Sequence, residues 1–374
     1  MTTGILKEPQ AENRVSLLPE QAASLAKLKA NVIVEKNAGI NAFATDETYA
    51  AKGFQLTSRK EILQQSDILL SIHPFTNDDL NDIKPGAIVL GVYQPLIHHQ
   101  LMKQWAAKSI STFSIDMIPR TTRAQTMDVL SSQANIAGYK AVLLAASLFP
   151  KYFPMFITAA GSIPPAKVLI LGAGVAGLQA IATARRLGAV IEVFDTRPAV
   201  KEEVMSLGAK FIEVEGAADP SQAGGYAVEQ TEEYKQKQQQ KITEAAAKAD
   251  VIITTAQIPG KLAPLLITED ALNRMKHGSV IIDLAAATGG NTSKTMNNQT
   301  IQYNGVTIVG NSNLASQMPS DASKLYGKNI LNFLQLIVTK EGVINLNFDD
   351  DLVKGTIITY NGEVMHEWVK SLIV

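Results

Sequence analysis

With 374 residues the chain exceeds the size at which a single hydrophobic core stops growing, roughly 250 to 300 residues, so two domains are expected. Its 34 basic and 35 acidic side chains leave a formal net charge of −1, which gives no electrostatic footprint for nucleic acid or for an anionic membrane surface. The lack of cysteine excludes disulfides, thiolate metal sites and cysteine nucleophiles.

In chain order, the first third alternates short apolar runs with helical periods. Strands are expected over residues 31–35, 67–72, 87–93 and 110–115, and helices over 19–30, 46–52, 58–65 and 96–108. Such alternation predicts a parallel sheet covered on both faces. From 127 to 149 there is no proline and one glycine, and the apolar spacing is helical, so a long helix bridges to the next domain until Pro150 and Pro154 end it. A strand over 167–171, a turn, a helix over 175–187 and a strand over 190–194 then begin a second α/β pattern, continued by strands over 250–255, 279–284 and 307–309. The last sixty residues, with a helix over 323–340 and a strand over 356–360, are too few for a third domain and are expected to return to the first. The expected division is 1–128 with 318–374, and 129–317, both doubly wound Rossmann-like units. A glycine-bearing and then Glu/Lys/Gln-rich segment, about 216–240, is long enough for a mobile lid.

The longest apolar stretch, 168–184, is interrupted by Gly172, Gly174 and Gly177 and closed by Arg185 and Arg186, so a strand, turn and helix are expected in place of a membrane span. No direct membrane insertion is expected. No secretory leader pattern is visible at the start, and a cytoplasmic location is expected.

Gly172-Ala173-Gly174-Val175-Ala176-Gly177 follows a strand and opens a helix, the context that a dinucleotide fingerprint requires. One glycine makes the tight turn, one lets the backbone approach a pyrophosphate, and one lets helix and strand pack closely. The helix N-terminus, starting at Val175 and Ala176, turns N–H groups and a positive dipole end toward phosphate. Asp195 ends the next strand about 20 residues on, where an acid accepts hydrogen bonds from the adenosine ribose. A carboxylate there favours NAD over NADP, although Arg197, two residues further, could partly neutralise it. Tyr226, beside Gly225, has two readings: it closes over bound nucleotide, or it anchors the loop to the surface.

The segment from Ile118 to Tyr139 gathers Arg120, Arg123, Gln125, Asp128 and Ser131, hydrogen-bonding groups without an evident acid, base or nucleophile. Such a set suits a site that holds a nicotinamide ring still for hydride transfer. Gln125 could orient the ring's carboxamide, and Arg120 could brace Asp128. The plainer reading is an Arg120–Asp128 ion pair at a hinge, with Gln125 and Ser131 capping the long helix. The histidines have no metal-ligand spacing, and no metal site is expected.

The run from Pro119 to Val142 closely resembles the Arg-Gln-Asp loop of proton-translocating nicotinamide nucleotide transhydrogenase. Residues 7–20, Lys-Glu-Pro-Gln-Ala-Glu-Asn-Arg-Val-Ser-Leu-Leu-Pro-Glu, resemble a signature shared with alanine dehydrogenase, and 158–166, the Gly172 turn and 223–227 also resemble the transhydrogenase. The resemblance spans nearly the whole chain. It implies the peripheral NAD(H)-binding component, domain I, of an enzyme passing hydride between NADH and NADP⁺. In that family the component is a homodimer of chains with two Rossmann-like domains each. The NADP(H)-binding component, domain III, and the membrane-spanning component, domain II, lie on other chains, placing domain I on the cytoplasmic face of the inner membrane. Position by position, Arg120, Gln125, Asp128 and Ser131 match the loop that contacts the dihydronicotinamide. Asp195, with Thr196 and Arg197, matches the ribose end, Gly225 and Tyr226 the mobile loop, and Ala256 the wall of the nucleotide pocket.

The rival on the same fold is an amino-acid dehydrogenase such as alanine dehydrogenase, which needs a positioned acid or base because oxidising an amine releases a proton as well as a hydride. The Lys, His and Asp that handle substrate there align with Ser71, Pro95 or Gln94, and Ala287. Arg14 is retained, which read alone is a salt-bridged surface or interface residue. A third reading is a non-catalytic NAD-sensing module whose closure a partner detects.

Overall fold

A computed structural model describes residues 1–216 and 231–373 of the chain. Contacts divide it into two units, Met1–Gln133 with Ser316–Val374, and Ala134–Ala315. The break falls inside the helix Val129–Leu148, which has no proline to interrupt it.

The first unit is built on eight strands in the order Glu363–Val364, Ile357–Tyr360, Ser111–Ser114, Ile88–Gly91, Ile68–Leu70, Thr2–Ile5, Asn31–Glu35 and Gln55–Thr57. All pairings are parallel from Ser111–Ser114 to Gln55–Thr57, and the two C-terminal strands add an antiparallel edge. The chain winds outward from Thr2–Ile5 to one side and then returns to extend the other, so the order reverses between Thr2–Ile5 and Ile68–Leu70. Ligands of open α/β sheets bind at such a reversal. Core clusters lie on both faces of the sheet, one of them including Tyr326, Ile330 and Phe333 of the helix Pro319–Ile337 and the other including Trp105, Tyr93 and Phe75. That helix begins before the residue expected from its periodicity because Pro319 fits the first turn, where no N–H partner is lost. It ends at Ile337, and Val338 pairs with Ile344.

Among the described residues, the main sheet of the second unit has seven strands in the order Lys210–Phe211, Val190–Phe194, Lys167–Leu171, Val251–Thr254, Val280–Asp283, Val306–Gly310 and Gln299–Tyr303. Only the last pairing is antiparallel. The central strands Lys167–Leu171, Val251–Thr254, Val280–Asp283 and Val306–Gly310 are rich in Val and Ile and almost wholly buried, as a parallel sheet between helical layers requires. The order reverses between Lys167–Leu171 and Val251–Thr254. Together these are two doubly wound α/β units, the fold class expected.

The segment 216–240 is not all loop. Residues from 232 form the helix Glu232–Ala246, whose N-terminus the Thr231 side chain caps through the N–H of Tyr234 at 3.2 Å. The Glu/Lys/Gln run is therefore the solvated face of a helix, with Tyr234 and Ile242 among its buried residues. Gly225 and Tyr226 lie outside the described residues. No helix among the described residues is long and apolar enough to cross a membrane.

Candidate nucleotide site and polar loop

The glycine turn sits at the carboxyl end of Lys167–Leu171, at the point where the strand order reverses. Gly172 has φ +104°, a conformation that strains any L side chain, and a Cβ there would lie 2.4 Å from the Thr255 hydroxyl. A Cβ on Gly177 would lie 1.9 Å from the Gly172 carbonyl oxygen, so only glycine lets the helix start this close to the strand. A Cβ on Gly174 would meet nothing within 4 Å. The three glycines thus divide their work as turn, open face and packing. Gly174 precedes the helix Val175–Arg186, and no side chain caps it. Its first N–H groups, from Val175 and Ala176, face the end that a pyrophosphate would take. Against the rear of the turn, a Cβ on Gly138 of the long helix would lie 2.1 Å from the Ala176 carbonyl, so this contact needs a second glycine that the fingerprint does not include.

Asp195 is buried at the end of Val190–Phe194. Its Oδ2 accepts from the Ala173 N–H at 2.7 Å, which ties it to the glycine turn. Arg197 donates its backbone N–H and Nε to Oδ1 at 2.8 and 2.9 Å and its Nη2 to Oδ2 at 2.8 Å. The neutralisation considered from sequence is present as a two-pronged ion pair, and this hydrogen bond to Asp195 holds the Arg197 pKa above its ordinary value. Thr196, between them, is half-buried.

Ala256 follows the neighbouring strand and is fixed by a side chain that sequence reasoning missed. Asn291, wholly buried, accepts from the Ala256 N–H at 3.2 Å and donates to the carbonyls of Ala256 and Pro264 at 2.9 and 2.8 Å. The backbone N–H of Asn291 donates to Asp283 Oδ2 at 2.6 Å. The available signal was the Gly289-Gly290 pair before Asn291, both glycines at positive φ.

In the other unit, the polar loop folds as a 3₁₀ segment, Thr122–Met127, running into the long helix. The cap of that helix is Asp128: its Oδ1 accepts from the Ser131 N–H at 2.9 Å and its Oδ2 from the Ser131 hydroxyl at 2.6 Å. This corrects the assignment of capping to Gln125 and Ser131. Gln125 and Arg120 are exposed, and Arg123 is held by ion pairs to Asp350 and to Asp351, the latter at 3.1 Å.

Arg14 is salt-bridged, as read from the sequence, but it is not a surface residue. It is buried, and its Nε and Nη2 donate to the two Glu12 oxygens at 2.8 and 2.6 Å while Nη1 reaches Gln133 at 2.9 Å. His73 Nε2 stands 2.8 Å from Glu12 Oε2. Burial alone would push the Glu12 carboxyl up, but hydrogen bonds from Arg14 and His73 and the Arg14 charge outweigh it and hold the group far below the usual carboxylate range. Glu8 accepts from the backbone N–H groups of Ile72 and His73 at 2.6 and 3.2 Å, and burial pushes its pKa up to about 7. Ser71 is buried with its hydroxyl 2.9 Å from that of Tyr93, whereas Gln94 and Ala287 are exposed and Pro95 is buried. Among the described residues no cluster of side chains suits a metal ion.

Family models of the alanine dehydrogenase/PNT N-terminal and C-terminal domains match residues 4–137 and 141–367. The chain is similar to the first part of NAD(P) transhydrogenase subunit alpha of Rickettsia prowazekii (strain Madrid E), with 44% identity over 96% of this chain and 94% of that protein. Its structure is similar to the transhydrogenase crystal structure from Sinorhizobium meliloti, with TM-score 0.89, 41% identity and coverage of 97% and 100% of the two chains. An L-alanine dehydrogenase structure shares the fold at TM-score 0.82 and 21% identity, covering 100% of this chain and 99% of its own.

Proposed function

Since the chain belongs to the alanine dehydrogenase/PNT family, among its NAD(P) transhydrogenase alpha subunits, we propose that it holds NAD(H) and passes hydride directly to NADP⁺ carried by a partner chain. NADH supplies the hydride. Gly172, Gly174 and Gly177, with the N–H groups of Val175 and Ala176, take the pyrophosphate. Asp195, flanked by Thr196 and Arg197, takes the adenosine ribose, and Ala256 lines the pocket wall. Gln125 orients the nicotinamide carboxamide beside Arg120, while Asp128 and Ser131 fix the loop by capping the helix. Gly225 and Tyr226 belong to the same nucleotide site by resemblance. The chain works as a homodimer on the cytoplasmic face of the inner membrane, bound through an NADP(H)-carrying component and a membrane-spanning component that couples hydride transfer to proton movement.

The reaction NADH + NADP⁺ → NAD⁺ + NADPH releases no proton at the reacting carbons, so the protein's task is orientation and exclusion of water. What carries this reading over an amino-acid dehydrogenase is that the positions matching that enzyme's substrate-handling Lys, His and Asp hold none of those groups. Oxidising an amine needs a positioned acid or base, and Ser71, buried with its hydroxyl against that of Tyr93, Pro95 or Gln94, and Ala287 supply none there.

Stopped-flow mixing of the chain, NADH and the recombinant NADP-binding component holding NADP⁺ tests it. Hydride should pass between the nucleotides, and Gln125→Ala should slow that step by about 100-fold, as loss of ring orientation predicts, with a much smaller effect on NADH affinity. Pyruvate- and ammonia-dependent NADH oxidation by the chain alone would sink the proposal. Tight NADH binding with no transfer in the complete complex would leave the sensing module.

A further inference from the structure

Behind Ala256 lies a chain of buried polar groups. Asp283, wholly buried at the end of the strand Val280–Asp283, accepts the Ala285 N–H through Oδ1 at 2.9 Å. Its Oδ2 accepts the Asn291 N–H and the Thr295 hydroxyl, both at 2.6 Å. A Cβ on Gly290 would lie 2.7 Å from that same oxygen, so the chain closes tightly around the acid before it reaches Asn291. All three hydrogen bonds of the Asn291 amide then end on the backbone of Ala256 or Pro264. A buried amide is costly unless it is hydrogen-bonded, and here the whole of its bonding capacity goes to fixing residues 256–264, which form neither helix nor strand.

The glycine turn at the reversal of strand order divides the site. Asp195 lies on the side of Val190–Phe194 and is tied to the turn through the Ala173 N–H at 2.7 Å. Ala256 follows Val251–Thr254 on the other side, with its nitrogen 3.4 Å from where a Cβ on Gly172 would stand. A dinucleotide at such a reversal lies across it, one half to each side. With the adenosine ribose on Asp195, the nicotinamide half runs over the carboxyl ends of Val251–Thr254 and Val280–Asp283. We propose that Asn291 is a positioning residue for the nicotinamide half of NAD(H): held by Asp283, which Thr295 braces, it sets the backbone of Ala256 and Pro264 against which that half rests. The inference rests on the nucleotide reading above. Asn291 touches no reacting atom and acts through Ala256. Its loss leaves a wall that is present but looser, and orientation of the ring suffers first.

Calorimetric titration of the full chain with NADH and with ADP tests it, because ADP takes the glycine turn and the Asp195 side but has no nicotinamide half to rest on Ala256. Asn291→Ala should weaken NADH binding by about tenfold, as lost pre-organisation does, and leave ADP affinity within about twofold of wild type. Thr295→Val keeps the side-chain shape and removes one donor to Asp283, so it should give the same split with NADH weakened by about threefold. Where Asn291→Ala does not fold, Thr295→Val takes its place and is judged by the same outcomes. A purely structural role would weaken NADH and ADP alike, and such an equal loss overturns the inference. So does NADH affinity that stays at the wild-type value. Failure of the underlying reading looks different: the wild-type chain then binds neither nucleotide, and the role of Asn291 falls with it.

Discussion

Arg197→Ala separates the two roles that Asp195 is asked to play. The Asp195 carboxylate accepts from the Ala173 N–H, the Arg197 N–H and two guanidinium nitrogens of Arg197, at 2.7 to 2.9 Å. A carboxylate offers roughly four lone-pair sites, so ribose hydroxyls reach it only where the guanidinium withdraws. The Arg197 side chain is 23% exposed and that of Asp195 6%, so water partly replaces the lost bonds, and the net work of separation is about 1 kcal/mol. Alanine keeps both backbone donors and leaves two lone pairs for two hydroxyls. NADH should then bind about fivefold more tightly. NADPH should bind about fivefold less tightly, because an uncovered carboxylate repels the 2′-phosphate, and raised salt should shrink that second effect. Calorimetric titration of the chain alone with each nucleotide, at low and high salt, measures both. Weaker NADH binding with unchanged NADPH binding would refute the reasoning, since Arg197 would then be a nucleotide contact in its own right.

Glu8→Gln should remove a pH dependence of stability. Folded Glu8 keeps its proton up to about pH 7 while the unfolded chain loses it near the ordinary 4.5, so wild-type stability falls as pH rises between these values, by roughly 3 kcal/mol. Glu12 has the opposite sign: its contribution is present above the ordinary 4.5 and is lost only as pH falls below it, outside that window. Urea unfolding at pH 5 and pH 8 should show the slope in wild type and not in Glu8→Gln; equal slopes would remove the buried acid from the account. Asp128→Ala should lower Tm by about 2 to 4 °C through loss of a helix cap worth about 1 kcal/mol, while Asp128→Asn, which can still cap, should not. Scanning calorimetry of both variants decides this, and an equal drop in the two would argue against the cap.

What could be read in the sequence followed from burial pattern. The strands Lys167–Leu171 and Val190–Phe194 and the helix Val175–Arg186 were legible because apolar runs, a glycine turn and a helical period succeed one another with no ambiguous residue between. Thr2–Ile5, central to the first sheet, was not, because two threonines and a glycine leave no apolar run. Gly4 is there for packing, as its Cβ would lie 2.3 Å from Ile62. Gln55–Thr57 is too short to show alternation, Gln299–Tyr303 is a polar edge strand, and the hairpin of Phe156–Thr158 with Gly161–Ile163 is exposed throughout, so none produces a readable apolar pattern. Predicted strands and helices overran by one to four residues at several ends, because apolar residues continue past the last ladder bond. Within the candidate site, the glycines and Asp195 were legible from spacing. The partners of Asp195, the capping role of Asp128 and the placement of Asn291 were not, since each depends on which oxygen meets which N–H across a fold.

The two units contain the same kind of ligand position in opposite states. In the second, the reversal of strand order opens on Gly174, beside which no atom lies within 4 Å of a Cβ. In the first, the reversal beside Ile68–Leu70 is filled by the chain itself: Glu8 accepts the N–H groups of Ile72 and His73, and Glu12 takes the guanidinium of Arg14. Burial raises the pKa of Glu8 to about 7, and Glu12 is paired with Arg14. The reversal in the first sheet is thus packed by the chain's own side chains, whereas the glycine turn at the reversal in the second stays open at Gly174.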